Sequence, residues 1–409
     1  MSERFALDAI WLKGDALGQL FDALQTVGEA RIVGGAVRNT LMGEAVADID
    51  VATDALPDAV AAASKNAGLR VHETGLAHGT LTVVASGQPF EVTTLREDMT
   101  TDGRRATVRF TKDWARDAER RDFTINALYA DREGTGIDYV GGLADCLARR
   151  VRFIGDADTR ILEDRLRILR FFRLHAAYGE GPLDPLGLAA AHRHVDTLKD
   201  LSAERVHNEM MRLLCAPRAN EVIPVMVDGG FLAAFTKGPL SPSSYAALAD
   251  AELRAGRSPT PVLGFAALCQ YDSDAYAYLA DALKMSRKDR ARGIAALEAA
   301  KHFPPRSVPH VKHLLYDYGP DTFADGLMLA LSRGIVVVDW PHLIVEARRW
   351  ARPVPPISGE DLMAVGIPEG PRLGNTLHAL ITRWRDSEFS LTREALLAMA
   401  RDAADGETP

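Results

Sequence analysis

Between Arg31 and Thr53 the chain reads RIVGGAVRNTLMGEAVADIDVAT. The stretch predicts a short apolar strand, a glycine turn, an arginine, a brief helix, and then two aspartates flanking Ile49. Asp48 and Asp50 are two residues apart. On an extended strand they project from the same face. Two carboxylates so close repel each other unless a cation lies between them or one takes up a proton. The Gly34-Gly35 turn and Arg38 offer backbone N–H groups and positive charge to a phosphate. Carboxylates for a hard cation beside donors for a phosphate point to metal-assisted phosphoryl or nucleotidyl transfer.

The chain must be larger than one simple core: 409 residues suggest two to four domains. With 47% hydrophobic and 25% charged residues the composition is that of a globular protein. Cys146, Cys215 and Cys269 are scattered and form no CxxC pair, which disfavours a disulfide framework or a cysteine zinc site. Asp8 and Lys13 interrupt the N-terminal apolar positions, so no signal peptide is expected, and no run approaches the roughly 20 apolar residues of a membrane span. A cytoplasmic protein with no membrane association is expected, and no protein partner is indicated. The net charge of -8 disfavours nucleic acid at first sight, but binding depends on where charge lies.

Taken in order, Phe5 to Gly28 has the periodicity of an amphipathic helix. A second helix is expected from Pro57 to Gly68, then β-like runs at Arg70–Thr74, Thr80–Ala85 and Pro89–Leu95, the last carrying Glu91. Residues 96–117 are polar and glycine-broken and suggest a mobile loop. ERRDFTINALYAD follows, placing Arg120, Arg121 and Asp122 at the mouth of a helix-like segment holding Asn126. Paired arginine forks suit phosphate or ribose oxygens. The stretch from Tyr139 to Arg160 suggests a turn and a short hairpin. Ile161–Gly179 reads as one strong helix, on which Asp164 and Arg167 are neighbours at i, i+3. From Arg149 to Arg173 there are eight arginines against four acids, a basic surface in an acidic protein. Beyond Gly179 the pattern is helical, with Ser202 a candidate N-cap and prolines from Ala351 marking a last unit.

The ordered set Gly34-Gly35-Ala36-Val37-Arg38, Leu41-Met42-Gly43, Asp48-Ile49-Asp50 with Thr53, RRDFTINA (120–127), Gly141-Gly142, Glu163-Asp164-Arg165-Leu166-Arg167 and LSAER (201–205) resembles the class II tRNA nucleotidyltransferase and bacterial poly(A) polymerase family. These motifs cover the first half of the chain. The second half matches loosely, at PISGEDL (356–362) and GPRLG (370–374). The resemblance implies an α+β fold, with a polymerase-β-like nucleotidyltransferase head (1–143) and mixed sheet. A helical neck (144–217), body (218–350) and tail (351–409) would follow. It further implies that Asp48 and Asp50 bind magnesium, in two ions, with Glu91 as third acid. Gly34, Gly35, Arg38, Arg120, Arg121, Asp122, Asn126 and Arg170 would hold the nucleotide, CTP or ATP. Asp164 and Arg167 would pair with its base edge, chemistry that a carboxylate and a guanidinium can perform. Asp102, Gly103 and Arg104 resemble the flexible-loop element needed to switch from C to A addition. The implied partner is tRNA, through its acceptor and TΨC region. Many members carry Asp where this chain has Asn39, which bears on how Arg38 is oriented.

Each motif alone has an ordinary explanation: a DxD in a turn, a glycine pair in a loop, a surface arginine pair, a weak helical ion pair. Their order and spacing together point to catalysis. Within the same class, poly(A) polymerase relatives carry an extra basic Gly-Arg-Arg-Phe-like stretch, whereas here GLRVHETGLAHGTLTVV runs without it. CC-only enzymes lack the arginine-bearing loop. A non-catalytic RNA-binding relative would have no need to keep both aspartates and the Asp164/Arg167 pair. His78 is expected to be structural, and no His-Asp dipeptide occurs.

Overall fold

The computed structural model describes residues 2–75, 79–101 and 106–404. Asp102, Gly103, Arg104 and His78 lie outside the described residues. The chain divides into two units, Met1–Phe235 and Thr236–Pro409.

The first unit is built on an eight-stranded sheet. Its strands are β1 (Glu3–Ala6), β2 (Ala30–Val33), β3 (Asp50–Thr53), β4 (Arg70–Gly75), β5 (Thr80–Ala85), β6 (Gln88–Thr94), β9 (Leu128–Ala130) and β10 (Thr135–Asp138). Their spatial order is β1-β10-β9-β2-β3-β6-β5-β4. Only β3 and β6 pair in parallel; the remaining neighbours are antiparallel. β7 (Arg96–Thr101) and β8 (Ala106–Phe110) form a separate two-stranded ribbon. Helices α1 (Asp15–Leu24), α2 (Gly35–Met42), α3 (Pro57–Asn66), α4 (Trp114–Glu119) and α5 (Gly142–Leu147) accompany the strands. The helices α6 (Ala157–Glu163), α7 (Arg167–Tyr178), α8 (Pro185–Arg193), α9 (Ala203–Leu213) and α10 (Ala219–Asp228) complete the unit.

β2 is buried at all four positions and lies between β3 and β9, as expected of an apolar run in mid-sheet. On its flank Val33, Ala52, Leu95, Trp114, Ala118, Ala127, Tyr129 and Ile154 form one core cluster. This core anchors the elements that carry the polar site: the end of β2, the start of β3, α4 and the turn before β9.

Five local expectations are corrected. Phe5 belongs to an edge strand opposite Gly136, not to a helix, and the helix proper starts at Asp15. The unsatisfied edge of β10 recruits the N-terminal residues, overriding their helical periodicity. Residues 96–101 and 106–110 are paired strands, not loop: they run antiparallel with Arg96 opposite Phe110 and Thr101 opposite Ala106, a pairing that satisfies backbone groups that polar side chains alone would not predict. Asn126 sits in a single 3-10 turn that leads into the fully buried strand β9, not in a longer helix. The segment after Tyr139 forms α5 rather than a hairpin. Gly142 is required there: a Cβ would stand 2.2 Å from the Thr124 carbonyl oxygen. Lastly, Ile161–Gly179 is two helices. Asp164 is extended (φ -151°, ψ 105°), and its Oδ1 accepts from Leu166 N at 3.1 Å, an Asx-type turn that competes with the helix.

The second unit is helical among its described residues: α11 (Pro242–Arg254), α12 (Pro261–Leu268), α13 (Ser273–Ala282), α14 (Arg287–Ala300), α15 (Val308–Ser332), α16 (Trp340–Arg349), α17 (Gly359–Ala364), α18 (Pro371–Asp386) and α19 (Arg393–Ala404). A capping box between Ser358 and Asp361 starts α17 after the proline-rich stretch. Tyr316 of α15 packs in one cluster with Ile357, Leu362, Trp384 and Leu396. No described helix is long and apolar enough to cross a membrane.

Candidate active site

β2 ends at Val33, and Gly34 follows with a φ of 73° and ψ of -118° that suit glycine alone, so the chain turns directly into α2. This turn delivers Gly35 and Arg38 to the rim of a cavity of about 420 Å³. Gly34, Gly35, Arg38, Asp48, Asp50, Arg121, Asp122, Asn126 and Arg170 all line it. Thus nine residues singled out from the sequence converge in space.

The acids come from the edge of the sheet. Asp50 opens β3 opposite Val33, and its parallel partner in register is Glu91. Register partners project from one face, so Glu91 stands beside Asp50 although it does not line the cavity. Asp48 is not on the strand; it precedes it in an exposed segment pinned by buried Ile49. Asp50 keeps an exposed side, but its partial burial, with Glu91 and Asp48, pushes its carboxyl above the ordinary value, against the pull of Arg121. Mutual repulsion of this kind fits a cation site. No three His, Cys, Asp or Glu side chains among the described residues form a ready-made metal cage. Magnesium in particular needs only one or two carboxylates when substrate phosphates complete its shell, so the two observations agree.

Opposite the acids lies a network of guanidinium groups. Arg38 is buried, with its Nε and Nη2 donating to Asn39 Oδ1 at 3.1 and 2.9 Å and Nη1 donating to Asn126 Oδ1. Its guanidinium also lies 3.9 Å from the centre of the Tyr178 ring. Asn39 Nδ2 donates to the Ala45 carbonyl at 2.7 Å, so the neutral amide orients Arg38 without a charge. Asn126 Nδ2 donates to Asp122 Oδ1 at 3.1 Å, while Arg170 Nε donates to Asp122 Oδ2 at 2.8 Å. Burial alone would raise the Asp122 carboxyl, but Arg170 and Asn126 hold it below its usual range.

Asp117 escaped the sequence reading. It is 1% exposed and accepts from Arg120 Nε at 2.8 Å, Arg121 Nη2 at 3.0 Å and the Tyr129 hydroxyl at 2.8 Å. Burial alone would raise its carboxyl, but the two arginines and Tyr129 lower it to about 2. Arg121 reaches the cavity and Arg120 does not. Tyr178, Arg173 and Arg212 also line the cavity and were not anticipated. The signal for two of them was available: Arg170, Arg173, Leu174 and Tyr178 share one face of α7.

The expected base-reading pair is arranged differently from the expectation. Asp164 Oδ2 accepts from Arg205 Nη2 at 2.7 Å. Arg167 donates to Glu163 and to the Arg160 carbonyl at 2.9 Å. Neither lines the cavity, and their side chains make no bond to each other. The break after α6 removes the i, i+3 helical stacking.

Sequence comparison decides the family. The model described as "Poly A polymerase head domain" matches residues 30–152, and that described as "Probable RNA and SrmB- binding site of polymerase A" matches 183–239. The chain is 35% identical over 380 residues to the mitochondrial CCA tRNA nucleotidyltransferase 1 of Danio rerio, covering 90% of this chain and 86% of that protein. The chain belongs to the CCA-adding tRNA nucleotidyltransferase family. A CCA-adding enzyme of Levilactobacillus brevis is 30% identical over 393 residues, covering 91% and 94% of the two chains. The crystal structure of the Bacillus stearothermophilus CCA-adding enzyme in complex with CTP superposes with a TM-score of 0.77 at 27% identity, over 96% of this chain and 97% of that one. The expected α+β nucleotidyltransferase fold and family are therefore both borne out.

Proposed function

We propose that this protein adds or repairs the 3′-terminal CCA of tRNA with CTP and ATP, releasing pyrophosphate. The observation that carries this reading is the single cavity that brings Asp48 and Asp50 together with Arg38, Arg121, Asp122, Asn126 and Arg170. Asp48 and Asp50, with Glu91 beside Asp50, would hold magnesium, in two ions. When bound, the ions supply positive charge that favours an ionised 3′-hydroxyl and screens the triphosphate. The protein's own groups do the positioning. Arg38 and Arg121, fixed by Asn39 and Asp117, present N–H groups to phosphate oxygens, and the Gly34-Gly35 turn lets the chain approach them closely. The Asp122–Asn126–Arg170 network would contact the triphosphate and sugar. The RNA 3′-oxygen attacks the α-phosphorus in line, the bond to the bridging oxygen breaks, and pyrophosphate leaves with that electron pair.

In this reading Asp164 and Arg167 pair with the base edge of the nucleotide, after exchanging Arg205 and Glu163 for it. The head (1–143) carries the chemistry, the neck (144–217) reads the base, and body (218–350) and tail (351–409) bind the acceptor and TΨC region by shape and backbone contacts. Asp102 and Arg104 are assigned to the C-to-A switch, and the protein is placed in the cytoplasm.

The deciding experiment supplies tRNA lacking its 3′ end with CTP, ATP and magnesium. Addition of two C and one A is the expected product. Long poly(A) from ATP alone would instead make it a poly(A) polymerase, two C without A a CC-adding enzyme, and no incorporation a binding relative.

A further inference from the structure

The second unit holds a cavity of about 610 Å³ lined by Lys301, His302, Phe303, Pro304, Arg306, Ser307, Pro309, His310 and His313. No carboxylate is among them. The underlying sequence, KHFPPRSVPHVKH over residues 301–313, has two lysines, one arginine, three histidines and no acid, in a chain of net charge -8. Lys301 and Lys312 are paired with Glu298 and Glu388, which leaves Arg306 and the three histidines as the groups that face an anion without a carboxylate of their own among the described residues. A second basic cavity of this unit differs, since Arg257 and Arg292 face Asp325 within it and Asp321 adds a second carboxylate.

We infer that the 301–313 cavity is a docking site for phosphate groups. It rests on the tRNA reading for its first candidate source, an RNA backbone phosphate; free nucleotide or inorganic phosphate is the second. Lys301 is paired with Glu298 at 2.6 Å, whereas His302 and Arg306 are exposed and have no ion-pair partner among the described residues. The Arg306 backbone N–H donates to His310 Nδ1 at 3.0 Å, which places the neutral ring's proton on Nε2, a donor suited to a phosphate oxygen. His313 Nε2 meets the Arg385 carbonyl at 2.8 Å, so it is held as donor to protein and shapes the wall. The site also sits at the first turn of α15, capped by Ser307, whose dipole favours an anion. His310 titrates below its ordinary value through burial, then His302, Arg306 and His313. A bound phosphate would relieve that crowding.

The test uses the full chain with the double variant His302→Ala/Arg306→Ala, both exposed positions whose backbone bonds survive the change. Affinity for tRNA is measured across a salt series, alongside KM for tRNA and for CTP. A backbone-phosphate site predicts a KM for tRNA raised about three- to tenfold and a salt slope shallower by about one for each RNA phosphate that is no longer neutralised. Arg306→Lys alone should restore most of the slope. A free-phosphate site predicts unchanged tRNA affinity, but a smaller thermal shift with inorganic phosphate in the variant than in the wild type. If tRNA affinity, salt slope and phosphate-induced shift are all unaltered, the inference is wrong. Failure of the wild type to extend tRNA would overturn the functional reading only, because the phosphate shift decides the cavity by itself.

Discussion

Arg205 of α9 donates to the Asp164 carboxylate at 2.7 Å across the break between α6 and α7. A carboxylate held this way is oriented but engaged, so the base contact proposed for it would have to displace Arg205. Arg205→Ala should free Asp164 and alter nucleotide choice without touching Asp48 or Asp50. Arg167→Ala should lower the preference for the correct nucleotide by about ten- to a hundredfold, since a bidentate base contact carries about 1–3 kcal/mol. Ratios of kcat/KM for CTP, ATP and UTP measure both. Unchanged selectivity in Arg167→Ala would remove it from base reading.

Asp50→Ala should abolish turnover, by about a thousandfold or more for the several kcal/mol that a metal contributes, while tRNA binding persists. Near-normal turnover would refute the metal assignment. The raised Asp50 carboxyl has a second consequence. Its folded-state value exceeds the unfolded one, so its stabilising contribution is present at acid pH and is lost as pH rises through the folded value. At neutral pH without divalent ions, Asp50→Asn should therefore raise Tm, and magnesium should narrow the difference. Thermal unfolding with and without magnesium checks this.

Asp117 behaves in the opposite sense. Its folded value is depressed to about 2, so its stabilisation is present above the unfolded carboxylate value and is lost as pH falls towards 2. Asp117→Ala removes the buried carboxylate that neutralises half-buried Arg120 and Arg121, leaving Arg121 only the Tyr129 hydroxyl, and should cost about 3–5 kcal/mol. Denaturant unfolding at pH 7 reads the loss. A cost under about 1 kcal/mol would mean the pair behaves as a surface contact.

Tyr178→Leu removes the ring under Arg38 and should raise KM for CTP several-fold, in line with about 0.5–2 kcal/mol for such a contact. Tyr178→Phe keeps the ring and should stay near wild type. Equal effects of the two would assign the contribution to the hydroxyl.

What the sequence revealed depended on the range of the interaction. The strand–turn–helix from Arg31 to Met42 was legible because apolar run, glycine turn and helix are local. The alternation of β6 placed Glu91 on a strand, although its registration with Asp50 is a tertiary fact. Asp117 was not legible: its importance lies in two arginines and Tyr129 meeting one carboxylate, which needs the fold of α4 onto β9. The joint at Asp164 was hidden for a similar reason. Hydrophobic periodicity runs through it, and only the Asx turn and the Arg205 contact favour the extended residue over the helix. Phe5 misled because an unpaired sheet edge outweighed local propensity.

Asn126 is connected at both ends: its carbonyl oxygen takes a proton donor from Arg38, and its amide hydrogens go to Asp122, which in turn receives Arg170. An amide wired in this way cannot be rotated by half a turn without confronting like with like. The sequence of donors and acceptors from α2 to α7 is therefore one-way. Polarity, not shape alone, ties the glycine-turn side of the pocket to the helix that faces it, and an isosteric carboxylate at position 126 would sever that continuity while filling the same space.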